Sequence, residues 1–366
     1  MIEHRENLAH QAIKILSLAA VCVLSLRAQP PLQHFHQTHP AMGTIFTIDL
    51  NVPAQATAEQ DMNLAFDEID RLEALLSNYR PSSELSRISR EAGSAPVVTD
   101  PETFRFLERS LYWSRVSNGA FDITVGPLLR VWGFFFHHGR IPSQAELNTV
   151  RNKIGWQHIA LDPETRTVSF TNHQTMELDP GSIGKGFAVD SVVKILRAQG
   201  VTSAFISAGG STLYAIGTVP GTAGWPVDIP DPRSPGKTSA SLLLKDTSLS
   251  TGACTEKFFI KNGHRYCHIF DPRTMRPVEG MLQTTVINPS ATDSDALSTV
   301  VFVLDPSASR RLLASMPETQ ALIFRQPTQA SQPDQSTSRQ SCIAINWTGK
   351  PCEASSINAK GSQLHD

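Results

Sequence analysis

The chain contains 366 residues, of which 40% are hydrophobic and 18% are charged. This length provides one large domain or two intermingled ones, and this composition excludes wholesale disorder. The 32 basic and 34 acidic residues leave a net charge of −2 with neutral histidines, which argues against binding of nucleic acid through a basic surface. The five cysteines include no Cys-x-x-Cys pair, so a disulfide-rich scaffold and a zinc or thiol-exchange site of that type are excluded.

The N-terminal segment predicts export. Residues 15–26 (ILSLAAVCVLSL) form an apolar run that follows Arg5 and Lys14. The run is shorter than the roughly 20 residues of a spanning helix and falls within the roughly 7 to 15 residues of a signal-peptide core. We therefore expect residues 1–28 to be a signal peptide cut after Ala28, and the mature protein to be periplasmic. An uncleaved helix that anchors the protein at the inner membrane is the alternative.

The first predicted elements are a strand and a long helix. Residues 42–50 alternate apolar and polar side chains, which is typical of a strand. Thr57 and Gln60 form a capping-box pattern, so a helix is predicted to begin at Thr57. One apolar residue in every three or four predicts its buried face, which consists of Met62, Phe66, Ile69, Leu72 and Leu76.

Two further helices and a hairpin are predicted before residue 170. Asp100, followed by a proline, predicts the start of a helix that ends at Asn118-Gly119. Ser143 and Glu146 predict the capping box of the next helix. Residues 156–170 then predict a hairpin whose turn is Asp-Pro-Glu-Thr.

The second half of the chain mixes strands with helices. A helix is predicted from 184 to 199, ended by Gly200, and another near Asp295. Strands are predicted near residues 203–207, 241–245, 257–262, 265–270 and 283–288. Because there is no regular βαβ repeat, we expect an α+β fold with mixed sheets and packed helices, forming a single body over residues 36–325.

The C-terminal segment, residues 326–366, is predicted to be polar and partly disordered. Its stretch of Gln, Ser and Pro has little to bury. Cys342 and Cys352 could form a disulfide in an oxidising compartment, and unpaired thiols are the alternative.

The most informative segment is DPGSIGKGFAVD, residues 179–190. Its three glycines permit tight turns and close approach of the backbone. The turn leads into a helix, whose first amide groups favour an anion, and Lys185 adds a full positive charge. This pattern is typical of a phosphate-binding turn, and equally of an ordinary Gly-rich turn with an exposed lysine.

Two other segments carry candidate chemistry. If a helix begins at Asp295, Asp295 and Thr299 share a face and offer the hard oxygen ligands that magnesium prefers; a helix cap is the simpler interpretation. In residues 266–274, His268 is predicted to lie on a strand, on the same face as Tyr266 and Phe270. With an ordinary pKa near 6.5, a histidine can take a proton from a hydroxyl nucleophile, although a histidine on such a face is usually a structural residue.

Taken together, these segments identify a family. Over nearly all of residues 36–325 the sequence resembles the ApbE family of FAD:protein FMN transferases, whose architecture is T-fold-like. The resemblance rests on MGT (42–44), LSNYRPSSELSR (76–87), GAFDITVGPL (119–128), the 179–190 turn, SAGG (207–210), TG (251–252), HIFDP (268–272) and DALST (295–299).

The resemblance implies a reaction and a set of site residues. Members bind FAD and a divalent cation, usually Mg²⁺, and transfer the FMN moiety to a threonine or serine hydroxyl of an acceptor redox protein, with release of AMP. The positions that would border FAD are Met42, Tyr79, Ala120, Phe121, Asp122, Asp179, Lys185 and Ile269. The metal would be held by the backbone oxygen of Ser182 and by Asp295 and Thr299. The catalytic groups would be His268, Asp295 and Lys185.

Two departures and two alternative functions accompany this hypothesis. Ser298 stands where some members carry a further carboxylate, and Pro180 replaces the usual leucine of the turn. Besides His268, Asp295 and Asp271 are alternative bases. The alternative functions are an FAD pyrophosphatase that releases free FMN and AMP, and a flavin-binding protein without catalysis.

Overall fold

The structure is a computed structural model that describes residues 31–136, 138–255, 257–326 and 342–348. Its α-helices are α1 Gln55–Leu76, α2 Glu84–Glu91, α3 Pro101–Val116, α4 Gly126–Val131, α5 Gln144–Arg151, α6 Gly184–Ala198, α7 Ala291–Val303 and α8 Pro306–Leu313. Its first strands are β1 Gln33–Ala41, β2 Thr44–Val52, β3 Val97–Val98, β4 Ile159–Asp162, β5 Thr167–Phe170, β6 Ala204–Ala208, β7 Thr212–Ile216, β8 Trp225–Pro230 and β9 Thr238–Leu244. The remaining strands are β10 Thr247–Ala253, β11 Phe258–Lys261, β12 His264–Cys267, β13 Phe270–Asp271, β14 Arg276–Pro277, β15 Met281–Asn288, β16 Gln320–Arg325 and β17 Cys342–Ile345.

One antiparallel sheet organises the described part of the chain. Its strand order is β1-β2-β6-β7-β10-β15-β16-β17. The smaller sheets are β3-β5-β4 and the pairs β8-β9, β11-β12 and β13-β14. The predicted α+β fold of sheets and packed helices is confirmed, and every strand pair of the described residues is antiparallel.

The two faces of the large sheet are covered by different elements. Helices α1 and α6 pack on β2, β6 and β7, and Met62, Phe66, Ile69 and Leu72 of the predicted apolar stripe of α1 are buried there. Leu76, the last residue of the stripe, is buried in the neighbouring core. The β8-β9 hairpin covers the opposite face through Trp225, Val227 and Ile229. Burial of the helix stripe therefore fixes the orientation of α1, as its periodicity predicts.

Helices α6 and α7 are joined by a half-buried cap. The carboxylate of Asp190 on α6 accepts hydrogen bonds from the amides of Ala291 and Thr292 at 2.8 and 2.9 Å, and from the hydroxyls of Ser290 and Thr292 at 2.7 and 2.6 Å. An acidic group beside the first turn of a helix satisfies its open amides and complements its dipole. Asp190 thereby sets the position of α7 relative to α6.

Two predicted helix starts were wrong. Helix α1 begins at Gln55, and its cap residue Ala54 makes no side-chain hydrogen bond, because packing of the apolar stripe stabilises this helix more than a capping box would. Helix α7 begins at Ala291, well before Asp295, and its cap is Ser290. The contacts from Asp190 explain the earlier start, and they are not visible in the local sequence.

Other predicted elements were confirmed, and some were missed. Asp100 caps α3 and a complete capping box begins α5 at Ser143. The predicted hairpin is the β4-β5 pair. Strands β1, β7, β10 and β16, all in the large sheet, were not predicted.

Two predicted segments lie largely or entirely outside the described residues. The signal peptide, residues 1–28, lies outside them entirely, and of the C-terminal segment the structure describes residue 326 and residues 342–348. Cys352, and with it the predicted pairing with Cys342, is also outside. Among the helices that are described, none is both long enough and apolar enough to cross a membrane.

Candidate active site

The Gly-rich turn begins helix α6 and presents a lysine. The amide of Gly184 donates to the carbonyl of Pro180 at 2.7 Å, and the amide of Gly186 donates to Oδ2 of Asp295 at 2.9 Å. Within the described residues, the amide and the ammonium group of Lys185 have no hydrogen-bond or ion-pair partner. The helix terminus thus offers fewer open amides than the sequence predicts, but it combines one free amide with an uncompensated positive charge, which favours an anion.

The hydrogen bond to Asp295 has a second effect on the turn. In a regular helix the amide of Gly186 would donate to the carbonyl of Ser182, four residues earlier. Because it donates to Asp295 instead, the Ser182 carbonyl accepts no hydrogen bond from the described residues. A backbone oxygen without a donor is therefore left next to a carboxylate.

Asp295 is buried between α6 and the large sheet. Its exposed fraction is 5%, and its Oδ1 accepts a hydrogen bond from the Thr212 hydroxyl on β7 at 3.2 Å. Each carboxylate oxygen retains a lone pair after these contacts. Thr299 lies one turn further along α7, and its half-buried hydroxyl has no partner among the described residues.

The donor set fits a magnesium ion. A carboxylate, a hydroxyl and a backbone carbonyl are hard oxygen ligands, and two of the three oxygens have no hydrogen-bond donor. Within the described residues there is no group of three or more His, Cys, Asp or Glu side chains that could hold a metal. The set of Ser182, Asp295 and Thr299 contains a single carboxylate, so it differs from a group of that kind. Ser298, by contrast, uses its hydroxyl inside α7, where it donates to the Asp295 carbonyl at 2.7 Å.

Asp179 joins three of the predicted site segments. Its Oδ2 accepts from Asn78 Nδ2 and its Oδ1 from the amide of Gly181, both at 2.8 Å. Its own amide donates to the carbonyl of Ile123 at 2.7 Å. Burial raises the pKa of the Asp179 carboxyl, and the hydrogen bonds from Gly181 and Asn78 oppose that rise. This residue therefore brings residues 76–87, 119–128 and 179–190 together.

An aromatic surface lies beside this junction. Tyr79 is 65% exposed and stacks on Phe135 with ring centroids 4.6 Å apart. The guanidinium of Arg130 lies 3.7 Å from the Phe135 centroid, and its Nε donates to Glu177 at 2.5 Å. The sequence analysis did not identify Phe135, although the run of three phenylalanines at 134–136 is a visible signal.

Asp122 supports a loop of the protein. The Asp122 carboxylate accepts hydrogen bonds from the amide and hydroxyl of Thr124, at 2.9 and 2.7 Å, and from the amide of Trp156 at 3.0 Å. Burial raises its pKa, and these hydrogen bonds oppose the rise. Its neighbours Ala120 and Phe121 are 1% and 2% exposed. An open cleft of about 190 Å³ lies beside them, lined by Asn118, Gly119, Asp122, Trp156 and Arg273 among others.

Two of the residues predicted to border FAD, Met42 and Ile269, lie in different hydrophobic cores. Met42 forms the β1-β2 turn with Gly43, where both have positive φ angles, 50° and 70°, and it packs beside α1 and α6. Ile269 packs in the core that contains α7. Phe187, two residues after Lys185, packs against both cores, so the start of α6 is where they meet.

His268 was predicted on a strand and lies between β12 and β13 instead. The register of the β11-β12 hairpin places it opposite Lys257. The His268 backbone amide donates a hydrogen bond to the Lys257 carbonyl at 3.2 Å. This bond takes the place that a further pair of strand residues would have had.

The imidazole of His268 is set up as a neutral proton acceptor. Its Nδ1 lies 3.0 Å from the same Lys257 carbonyl. A carbonyl can only accept, so we assign the proton to Nδ1, which leaves the lone pair of Nε2 free. Burial lowers the pKa of His268 to about 4, and the charges of Lys257 and Lys185 act in the same direction.

The alternative base Asp271 is already engaged. Its two oxygens accept from Nε and from a terminal nitrogen of Arg273, both at 2.8 Å. The bidentate contact occupies both oxygens and fixes the carboxylate on Arg273, away from the role of a base.

A disulfide joins Cys254, after β10, to Cys267, immediately before His268. The Cα atoms are 5.3 Å apart, within the usual range. The sequence analysis did not pair these cysteines. Their only signal was their separation of 13 residues in a chain expected to be exported.

Comparisons with known proteins agree on one family. The model of the ApbE family matches residues 42–323. A Treponema pallidum protein named FAD:protein FMN transferase is 30% identical over 329 residues, covering 83% of this chain and 89% of the relative. The crystal structure of the ApbE protein from Thermotoga maritima superimposes with a TM-score of 0.73 at 28% identity, covering 80% of this chain and 94% of that one. The apo flavinyl transferase ApbE of Pseudomonas stutzeri gives a TM-score of 0.73 at 26% identity, covering 86% and 95%.

The contact between α6 and α7 allows a test by a single methyl group. A Cβ at Gly186 would lie 2.2 Å from the Ala291 carbonyl oxygen and 2.8 Å from Asp295 Cβ, so Gly186→Ala must separate the helices. We expect the free energy of unfolding to fall by about 1–3 kcal/mol, measured by urea denaturation. In the control Gly184→Ala the nearest atom is Pro180 Cβ at 3.2 Å, and a change within about 1 kcal/mol is expected. Equal losses in both variants would contradict the close contact.

Proposed function

The chain belongs to the ApbE family, and we propose that it transfers the FMN moiety of FAD to a threonine or serine hydroxyl of another protein and releases AMP. The observation that carries this proposal is the Gly186–Asp295 hydrogen bond. It leaves the Ser182 carbonyl without a donor among the described residues, three residues before Lys185, whose ammonium group has no partner in that part of the chain either. The curated relatives named FAD:protein FMN transferase support the same activity.

We propose Mg²⁺ as the metal of this site, held by the Ser182 carbonyl, Asp295 and Thr299. When bound, Mg²⁺ neutralises charge on the pyrophosphate oxygens and makes the phosphorus a better electrophile. The surrounding residues favour this assignment because each offers oxygen and none offers sulfur or imidazole.

The residues of the chain supply binding and proton transfer. Lys185 and the first turn of α6 hold the FAD phosphates in place. The acceptor hydroxyl oxygen forms a bond to the phosphorus of the FMN half, and the bond from that phosphorus to the oxygen of AMP breaks. Nε2 of His268 takes the proton of the hydroxyl, which is the role of a general base.

The exposed aromatic surface of Tyr79 and Phe135 suits the flavin end of the substrate. A flat conjugated ring gains stability from offset stacking on an aromatic side chain. Tyr79 is open to solvent on the face that Phe135 does not cover, and Asp179 ties its loop to the phosphate-binding turn. This arrangement favours FAD lying from Tyr79 towards Lys185.

The acceptor that we propose is a redox protein with a flavinylation site at threonine or serine, reached in the periplasm or at the inner membrane. Two features support export: the apolar run at residues 15–26 and the Cys254–Cys267 disulfide. Disulfides persist in oxidising compartments and are rare in the cytosol.

The transfer reaction has a direct test. We expect the mature protein, incubated with FAD, Mg²⁺ and a candidate redox membrane subunit, to make that subunit covalently fluorescent in a denaturing gel and to release AMP in equal amount. Asp295→Ala should lower the rate at least about 100-fold because the metal loses its only carboxylate.

The control for Asp295→Ala is Asp67→Ala, an exposed residue of α1 beside the far end of α6, which should leave the rate unchanged. AMP with only free FMN would identify an FAD pyrophosphatase and reject the transferase. FAD binding without AMP would identify a flavin-binding protein.

The pKa of His268 predicts the acid limb of the reaction. A protonated imidazole cannot accept the hydroxyl proton, and burial lowers this pKa from 6.5 to about 4. The neutral form therefore persists down to about pH 4, and kcat/KM should fall only below that pH. The measurement is a kcat/KM profile from pH 3.5 to 8, with His268→Gln as the control that lacks this limb. A limb near pH 6.5 in the parent protein would contradict the assignment.

Export is tested with a reporter. Residues 1–35 fused to an enzyme that is active only in the periplasm should give activity, and the same fusion with Val21 and Val23 replaced by Asp should not, because charges in the apolar core block insertion. An inactive parent fusion would reject export.

A further inference from the structure

The β11-β12 hairpin is separate from the large sheet. It forms a two-stranded sheet of its own, and a two-stranded hairpin is marginally stable in water without further support. One face is supported by packing, since Phe259 and Tyr266 lie against Phe134 and Trp132 with ring centroids 5.5 and 5.8 Å apart. The opposite face carries Cys267.

The disulfide connects this hairpin to the large sheet. The amide of Cys254 donates to the carbonyl of Leu282 on β15 at 3.0 Å, and the preceding residue, Ala253, pairs with Gln283. Cys254 is therefore fixed by the sheet. Its disulfide bond to Cys267 therefore also restrains the end of β12, one residue before His268.

The orientation of the His268 ring depends on the base of the same hairpin. Among the described residues, the one hydrogen-bond partner of the ring is the Lys257 carbonyl, and Lys257 is the residue before β11. If the two strands separate at their base, the ring loses this acceptor. The disulfide lies directly beside that point, because Cys267 pairs with Phe258 in the register.

We propose that the Cys254–Cys267 disulfide is a positioning element for His268 in the proposed transfer reaction. It holds the base of the hairpin closed, so that Nδ1 stays on the Lys257 carbonyl and Nε2 stays aimed for proton transfer. Opening the disulfide lowers kcat and leaves the KM for FAD nearly unchanged, because the phosphate-binding residues lie on α6 and α7. This inference rests on the proposed function for its kinetic consequence.

Reduction of the bond is a two-electron step. A dithiol such as dithiothreitol would give two thiols at Cys254 and Cys267 and become a cyclic disulfide, with two protons passing to the cysteines. Both cysteines are buried, 3% and 1% exposed, so this exchange requires the hairpin to open. Removal of both cysteines by mutation avoids that barrier.

The kinetic test compares three variants in the same assay. We expect Cys254→Ala/Cys267→Ala to lower kcat at least about 10-fold, within the range by which a misplaced general base slows a reaction, with the KM for FAD changed less than about 2-fold. In a His268→Gln background the same two cysteine substitutions should cause no further loss of kcat, since the histidine that the disulfide positions is absent. An equal fold-loss in both backgrounds would show a general structural role and overturn the proposal.

A spectroscopic measurement does not depend on activity. The ring of His268 should titrate with a pKa of about 4 in the parent protein and closer to 6.5 in the cysteine variant, because loss of burial, the largest cause of the low pKa, outweighs loss of the hydrogen bond to the Lys257 carbonyl, which raises the pKa. The titration is followed by NMR of labelled histidine. The charged groups that face the ring are Lys257 of the hairpin and Lys185 of α6, and both remain in the variant. An unchanged titration would overturn the proposal even if the protein proved to transfer no flavin.

Two controls complete the experiment. Cys342→Ser/Cys352→Ser leaves both hairpin cysteines in place, Cys342 being on β17 at the edge of the large sheet, and should leave kcat unchanged. If the hairpin variant fails to fold, parent protein reduced by dithiothreitol replaces it, with thiols counted by mass spectrometry. Loss of kcat that returns on reoxidation supports the proposal, and full activity with both hairpin thiols reduced rejects it.

Discussion

The hydrogen bond from the Gly186 amide to the Asp295 carboxylate is the contact on which the site depends. It requires a residue without a side chain at 186, because a Cβ there would meet the Ala291 carbonyl at 2.2 Å. It also requires α7 to lie against the first turn of α6, a position that the cap from Asp190 maintains. Once formed, it removes the helical partner of the Ser182 carbonyl. A single close approach of two helices thus brings together both halves of the proposed site, the one that would bind an anion and the one that would bind a cation.

Local placement of charge explains how a nearly neutral chain can hold a highly anionic dinucleotide. The net charge of −2 provides no broad attractive field. Lys185 is positive and unpaired among the described residues, while the neighbouring oxygens suit a divalent cation. The same charge, with that of Lys257, adds to burial in keeping His268 neutral. Lys185, the proposed phosphate-binding residue, therefore also helps to keep the proposed base neutral.

The proposed site residues lie in two parts of the structure that are stabilised in different ways. The residues proposed to bind phosphate and metal lie on α6, on the turn before it and on α7, all packed in the core. His268 lies at the base of a small hairpin that is separate from the large sheet, and hydrogen bonds alone stabilise such a pair weakly. A covalent link at Cys267 provides the rigidity that core packing provides elsewhere.

The sequence alone determined the fold class, the family, the buried stripe of α1 and the capped starts of α3 and α5, because each follows from local pattern or from residue identity. It also singled out Lys185, Asp295 and His268. Only the tertiary structure decided which donors and acceptors remain open. The early start of α7, the Gly186–Asp295 hydrogen bond and the Cys254–Cys267 bond each depend on residues far apart or on separate elements, and a local pattern contains no information about such contacts. The sequence pattern therefore identified the chemical groups, and tertiary packing determined which of them remain available for binding or proton transfer.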